Sequence, residues 1–187
     1  LKRILLWVPI ALLAVAIVSG LWLGRGKVEE RAEQPAIAAA PVATAKSEQI
    51  QLYFGDRNRV DLVPELRTMS AGEDLQERLQ VVVRELAAGS LEGHLAVVPS
   101  GVRLRSGYVD GWGDAYLDFT KSILGRGSPG DGTEWLAVAA IVRTICEHFP
   151  EIQSVRFLIE GQMIVSLAGY VDLEEPLSAE HFVSPSK

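Results

Sequence analysis

The side chains best suited to chemistry are few and scattered. His94, His148 and His181 form no H-x-H or H-x-x-x-H pair, so they lack the spacing of a metal site. His148 falls in the last turn of an expected helix, where a positive charge complements the helix dipole. Asp110, Asp114 and Asp118 recur at four, but the pattern is not the D-x-D-x-D-G of a calcium loop. They read as one turn residue and two residues on the outward face of a hairpin. Gly125-Arg126-Gly127-Ser128-Pro129-Gly130 matches G-x-G-x-x-G in letters. It does not follow a strand directly, Pro129 removes a backbone donor, and no βαβ layout follows, so it reads as a loop before a helix. Cys146 lies beside an apolar helical stripe and reads as a core thiol, and a lone cysteine leaves no internal disulfide. Glu160, Glu174 and Glu175 lie near turns, where carboxylates are ordinary surface residues. No Ser-His-acid or paired-carboxylate set emerges. The expectation is no catalytic, cofactor-binding or metal-binding residue, no cofactor and no enzymatic activity.

The elements that would position these residues centre on Gly132–Gly161. Trp135, Val138, Val142, Ile145 and Phe149 recur at three and four, which gives one helical stripe. Leu136, Ala137, Ala140 and Ile141 make the flanks apolar too, so the helix should be largely buried. Thr133 or Asp131 is the expected N-cap, and Pro150 stops the helix. Val155, Phe157 and Ile159 then alternate with Arg156, Leu158 and Glu160 as a strand.

Upstream, Ile50–Phe54 and Val60–Met69 read as strands, with Pro64 confining the second to an edge or a bulge. Ser70-Ala71-Gly72-Glu73 fits a capping box for a helix to about Ala88. Leu75, Leu79, Val82 and Leu86 face inward, an Asp74–Arg78 ion pair lies on the outside, and Gly89 follows the last turn. Val102 to about Val109 and Ala115–Phe119 read as a hairpin about Asp110-Gly111-Trp112-Gly113. A final strand is expected at Met163–Leu167, with Ala168–Leu177 irregular. The ββαββαββ order predicts an α+β fold, two helices packed on one face of a mostly antiparallel or mixed sheet.

Residues 4–23 carry no charge and begin and end near Trp7 and Trp22. At about 1.5 Å per residue they span about 30 Å, the thickness of a bilayer's hydrocarbon core. A cleaved signal peptide would share the basic start and a small-x-small site at Ala14–Ala16. The apolar run continues past that site to Leu23, which favours a retained single-pass anchor. The expected organisation is a short cytoplasmic tail (1–3), a transmembrane helix (4–23), a disordered Ala/Pro/Glu tether (24–49), a domain (50–178) and a loose tail (179–187). The domain is expected outside the cytoplasmic membrane. Net charge is −6, and residues 50–187 hold 12 basic against 20 acidic side chains. That sign argues against nucleic acid as a partner.

Several segments together resemble the GerM-type sporulation and germination domain (GerMN). They are Leu52-Tyr53-Phe54, Leu62-Val63-Pro64-Glu65-Leu66-Arg67, Asp118-Phe119, Gly132-Thr133-Glu134, Ile141-Val142-x-Thr144, Phe157-Leu158-Ile159-Glu160-Gly161, Gly169-Tyr170-Val171-Asp172 and Glu175-Pro176-Leu177. The resemblance covers about residues 50–178. It implies an extracytoplasmic, non-catalytic α/β domain similar to the ring-building motifs of sporulation-channel proteins. It brings no catalytic residues with it. The spore-former members carry two such domains on a lipid anchor, whereas this sequence has one domain behind an expected membrane helix. The resulting expectation is a membrane-anchored envelope module that binds envelope proteins or itself. The alternative is a peptidoglycan binder, with Trp112, Tyr116 and Tyr170 available to stack on sugars. A cell-wall enzyme is the third reading.

Overall fold

The structure is a computed structural model that describes residues 47–125 and 132–182. The expected membrane span lies outside these residues, as do residues 24–46 of the expected tether, most of the 125–130 glycine motif and residues 183–187. The last tether residues, Ser47–Gln49, instead open the first strand, where they pair with Thr68–Ser70. Among the described residues, no helix is long and apolar enough to cross a membrane.

The chain forms strands β1 (Ser47–Gly55) and β2 (Leu62–Ser70), helix α1 (Leu75–Ala88), strands β3 (Leu104–Val109) and β4 (Asp114–Phe119), and helix α2 (Thr133–His148). β5 (Ser154–Ile159) follows, then the short strands β6 (Gln162–Met163), β7 (Ser166–Leu167) and β8 (Val171–Asp172). The α+β class and the two helices are as expected, but the strands do not make one sheet. β1 and β2 form an antiparallel ribbon, and β3-β4-β5-β6 a mixed sheet in which β4 and β5 are parallel. β7 and β8 form a third small pair. Chain order alone cannot distinguish one sheet from several, because pairing depends on what each strand can bury.

Helix α2 accounts for the division. Every residue from Leu136 to Val142 is buried, so the helix is apolar all round and needs cover on more than one side. It packs on both β1 and β5. The amide of Tyr53 donates to Thr144 Oγ1 at 3.2 Å and ties the ribbon to the helix. Helix α1 lies against β3, where Gly107 admits it: a Cβ there would meet Leu79 Cδ1 at 3.0 Å.

Local signals hold in places and shift in others. Pro64 sits on β2, which pairs only with β1 and is thus an edge. Gly89 ends α1 at φ +90°, with its N–H on Leu86 O. The expected Ser70–Glu73 capping box is displaced by four residues. Asp74 is the N-cap, accepting from Glu77 N at 2.8 Å, while Glu77 Oε2 accepts from Glu73 N at 2.8 Å. Asp74 is therefore occupied, and Arg78 pairs with Glu48 of β1 at 3.0 Å instead. At α2, Gly132 in the left-handed region is the N-cap and Thr133 is the first helical residue.

Glu160 and Gly161 both have positive φ (50° and 81°), as a two-residue hairpin turn between β5 and β6 demands. The expected strand Met163–Leu167 breaks into β6 and β7, which belong to different sheets. Part of the stretch expected to be irregular forms β8. Trp135, expected inward, is 43% exposed and meets Phe182 edge-on at 5.3 Å. Residues 179–182 form a 3-10 turn that buries Phe182, so the fold continues past 178 and the expected loose tail is ordered at its start.

Candidate functional site

Strand β2 reverses the usual alternation. Glu65 and Arg67 point inward, 2% and 8% exposed, while Leu66 between them faces solvent. Two charges can stay buried only if each is paired and hydrogen-bonded. Arg67 binds Glu65, reaches Glu85 Oε2 of α1 at 3.1 Å, and donates to Gly89 O at 3.0 Å. Glu65 also accepts from Ser90 Oγ at 2.5 Å and from the amides of Leu91 (3.2 Å) and Glu92 (3.4 Å). Burial opposes its ionisation, but Ser90, Arg67 and the two amides outweigh it and hold the pKa at about 2.

Glu65, Glu92 and His94 offer ligand atoms within 4.8 Å of one another. Both Glu65 oxygens already accept N–H or O–H donors, so this carboxylate staples the loop after α1 rather than presenting free lone pairs to a cation. This cluster is not among the residues whose spacing suggests chemistry. The available signal was two opposite charges at i and i+2 on a strand, which share a face.

The histidines, the three spaced aspartates and the turn glutamates do not converge. His94 lies 3.4 Å from Glu92, His148 lies 3.5 Å from Glu48 and edge-on to Phe149, and His181 Nδ1 accepts from Ser178 N. Asp110 caps its turn, accepting from Trp112 N and Asp114 N. Asp114 binds Ser154 and lies 3.7 Å from Arg156. Asp118 accepts from Gly161 N at 2.8 Å and pairs with Arg105 at 3.0 Å. Asp114 and Asp118 share the expected face, but they are at most half-exposed and are bound by donors rather than solvated. Glu160 pairs with Lys121 at 3.0 Å, and Glu174 lends its carbonyl to Arg156. Cys146 is half-buried and packs against the edge of the core, and burial pushes its thiol up to about 11.

What the fold leaves outward is aromatic. On β3 and β4 the buried residues Ala115, Leu117 and Phe119 face the helices, and Tyr108 and Tyr116 lie on the opposite face. The two tyrosines are direct cross-strand neighbours, stacked at 4.7 Å and 4°. Tyr116 is next paired with Arg156 on β5. Trp112, at the tip of the same hairpin, is 84% exposed, and Tyr108 is 58% exposed. Tyr170 is also exposed, on the separate turn before β8. The hairpin thus carries a stacked tyrosine pair, flanked by Arg156 on the next strand, and an exposed indole at its tip.

Both the fold and the recurring segments point to one class of domain, and comparison with known proteins agrees. Residues 51–165 match the Germane family, described as sporulation and spore germination. That match covers more than half of the sequence, and the chain belongs to this family. Among solved structures, the chain is similar to the tandem GerMN domains of the sporulation protein GerM from Bacillus subtilis. That likeness has a TM-score of 0.62 at 19% identity over 73% of this chain. The chain spans 48% of the tandem structure's length. The first GerMN domain of the same protein matches at TM-score 0.56 and 18% identity, over 71% of this chain and 98% of that one. A putative lipoprotein from Clostridium perfringens matches at TM-score 0.50 and 25% identity, over 72% of this chain and 89% of that one. No curated protein is significantly similar to the chain.

Proposed function

We propose that this protein is a non-catalytic envelope module, held on the outer side of the cytoplasmic membrane by residues 4–23 and acting through contacts with envelope proteins or other copies of itself. The observation that carries this reading is the division of labour among its side chains. The carboxylates Glu65, Asp114 and Asp118 are bound to donors within the fold, whereas Trp112 and Tyr108 stand exposed on one hairpin. Exposed aromatic anchors on a rigid element are the material of recognition surfaces. Membership of the family described as sporulation and spore germination supports an envelope setting, as does the likeness to a putative lipoprotein.

The test has two parts. Membrane fractionation with added protease should degrade residues 50–187 from the outer side of intact spheroplasts. Photo-crosslinking from position 112 should capture a discrete protein adduct. A domain protected from external protease would refute the placement, and the same crosslinks from position 57 as from 112 would refute the surface.

A second reading, a peptidoglycan glycan binder, is favoured by the same aromatic residues, since stacked rings and an exposed indole offer faces to sugar rings. Retention on purified peptidoglycan that is lost in Trp112→Ala would support it over protein-only assembly.

A further inference from the structure

A second surface is set apart by its charges. The domain pairs its basic side chains closely: Arg67, Arg78, Arg105, Lys121, Arg143 and Arg156 each face a carboxylate. Turn residues Arg57 and Arg59 aside, the described arginines left are Arg84 and Arg103. No carboxylate among the described residues pairs with either side chain. Both are exposed, and both line one cleft of about 500 Å³ between the C-terminal half of α1 and the segment leading into β3. In a chain of net charge −6, two uncommitted guanidiniums on one cleft are a local reversal of sign.

The walls narrow the ligand class. Gln80, Arg84, Ala87 and Ala88 are spaced as one stripe of α1, and Gly101, Val102 and Leu104 face them. The alanines, Val102 and Leu104 supply apolar contact for methyl-sized groups only. Gln80 holds the Leu104 carbonyl through Nε2 at 3.3 Å, which fixes its amide and leaves Oε1 without a donor. Beyond Gly101 a second hollow, of about 680 Å³, runs past Ser100 and Ser122 to Lys121, so the surface is elongated. Cavities of about 300–1,000 Å³ hold small ligands. Guanidiniums match carboxylates bidentately, a fixed amide oxygen accepts a peptide N–H, and small apolar walls suit short aliphatic side chains.

We infer that this cleft binds a short acidic peptide of small residues, its carboxylate held between Arg84 and Arg103 and its backbone directed along Gln80. A phosphate polymer or an anionic lipid surface would use the two arginines but neither the acceptor nor the apolar walls.

The test uses the full chain in detergent micelles and a fluorescein-labelled Ala-Glu-Ala-Ala peptide with a free carboxyl terminus, followed by anisotropy. Binding should weaken about tenfold in the Arg84→Ala/Arg103→Ala double variant, a loss in the range of removed charge-assisted bonds. Gln80→Ala should weaken it less, and Arg57→Ala should leave it unchanged. The fully amidated Ala-Gln-Ala-Ala peptide should bind at least about fivefold more weakly, since it lacks the charge that the arginines recognise. All the substituted positions are exposed or half-exposed, so the variants should keep the native circular dichroism spectrum. The inference is overturned if the acid and amide peptides bind alike, if the double variant binds as the parent does, or if the acidic peptide fails to bind at millimolar concentration. It is equally overturned if inorganic polyphosphate or phosphatidylglycerol vesicles compete away the peptide at far lower concentration than unlabelled acidic peptide does.

Discussion

Glu65 and Arg67 stand two residues apart on β2 and meet inside the fold, with Arg67 extended across to Glu85 of α1. The pair joins the edge strand to the end of the helix and to the loop that follows it, because Glu65 also accepts the Ser90 hydroxyl. Removing one member takes the nearest charge from the other, which stays buried with only its remaining bonds, Glu85 and Gly89 O for Arg67 or Ser90 and two amides for Glu65. The cost is up to about 3–5 kcal/mol. Glu65→Ala and Arg67→Ala should each lower the urea midpoint severely. Replacing both by apolar residues of similar volume, Glu65→Leu with Arg67→Met, should destabilise less than either single change. Equilibrium unfolding of the four proteins checks this. Additive losses in the double variant would refute the coupling.

The same carboxylate gives the domain an acid limit. The folded pKa of Glu65 is about 2, below the ordinary 4.5. Its stabilising contribution is therefore complete above about pH 4.5 and lost as pH falls through 2. The shift corresponds to about 3 kcal/mol as an order of magnitude. Stability measured between pH 6 and pH 2 should fall along this slope in the parent. In Glu65→Gln the slope should be shallower, from a lower starting stability.

Tyr53 makes a second tie, between β1 and α2. Its hydroxyl donates to Glu147 Oε2 at 2.5 Å, and Arg143 covers its ring at 4.0 Å while bonding the same carboxylate at 3.1 Å. Burial, then the Glu147 hydrogen bond, raises the phenol pKa. The hydroxyl is thus neutral in the fold, and its contribution is lost only as pH rises through that raised value. Tyr53→Phe keeps the ring and removes the bond. It should cost about 0.5–1.5 kcal/mol, the net worth of the lost bond, since the exposed Glu147 carboxylate can take water in its place. It should also abolish the high-pH tyrosine titration that is delayed in the native state.

Gly55 closes β1 where the chain bridges to Leu95, and a Cβ there would lie 2.7 Å from Val97 Cγ1 and 3.3 Å from Leu95. Gly55→Ala should destabilise by about 1–3 kcal/mol through overpacking. Gly111, in the Trp112 turn, has open space around its Cβ position and no positive φ. Gly111→Ala should be near neutral. Thermal unfolding of the two variants separates close approach from a general glycine effect.

The contrast between these sites marks what sequence could give. Helix α2, the β3–β4 hairpin and strand β5 were legible because their apolar residues repeat at 3.6 or 2, and burial enforces that period. The division into three sheets was not, because a pattern states which face is buried and not which strand lies beside it. Glu65 and Arg67 were legible as family markers only. A charge on an alternating strand normally points to solvent, and the partners that reverse this lie 18 and 25 residues away at Glu85 and Ser90. Trp135 fitted the helical stripe by number, yet its indole covers Phe182, a contact that no local period encodes. Trp112 and Tyr116 were named as possible stacking residues. The cross-strand register supplied the third member, Tyr108.

Cys146 permits a last prediction that reports on the whole core. Its thiol is held up at about 11 by burial, against an ordinary 9.0, and its Sγ donates to Gln153 O at 3.7 Å. The thiolate is the reactive form, so at pH 8 the native protein should carry about 100-fold less of it than an unfolded chain. Iodoacetamide should therefore label native Cys146 at least about tenfold more slowly than it labels the protein in denaturant, the smaller thiolate fraction being partly offset by the greater nucleophilicity of a high-pKa thiolate. Glu65→Ala, if it loosens the fold as argued, should raise the native labelling rate although Glu65 makes no contact with Cys146. Equal labelling rates in native and denatured protein would show that α2 does not bury this thiol, and would remove the basis for reading it as part of the core.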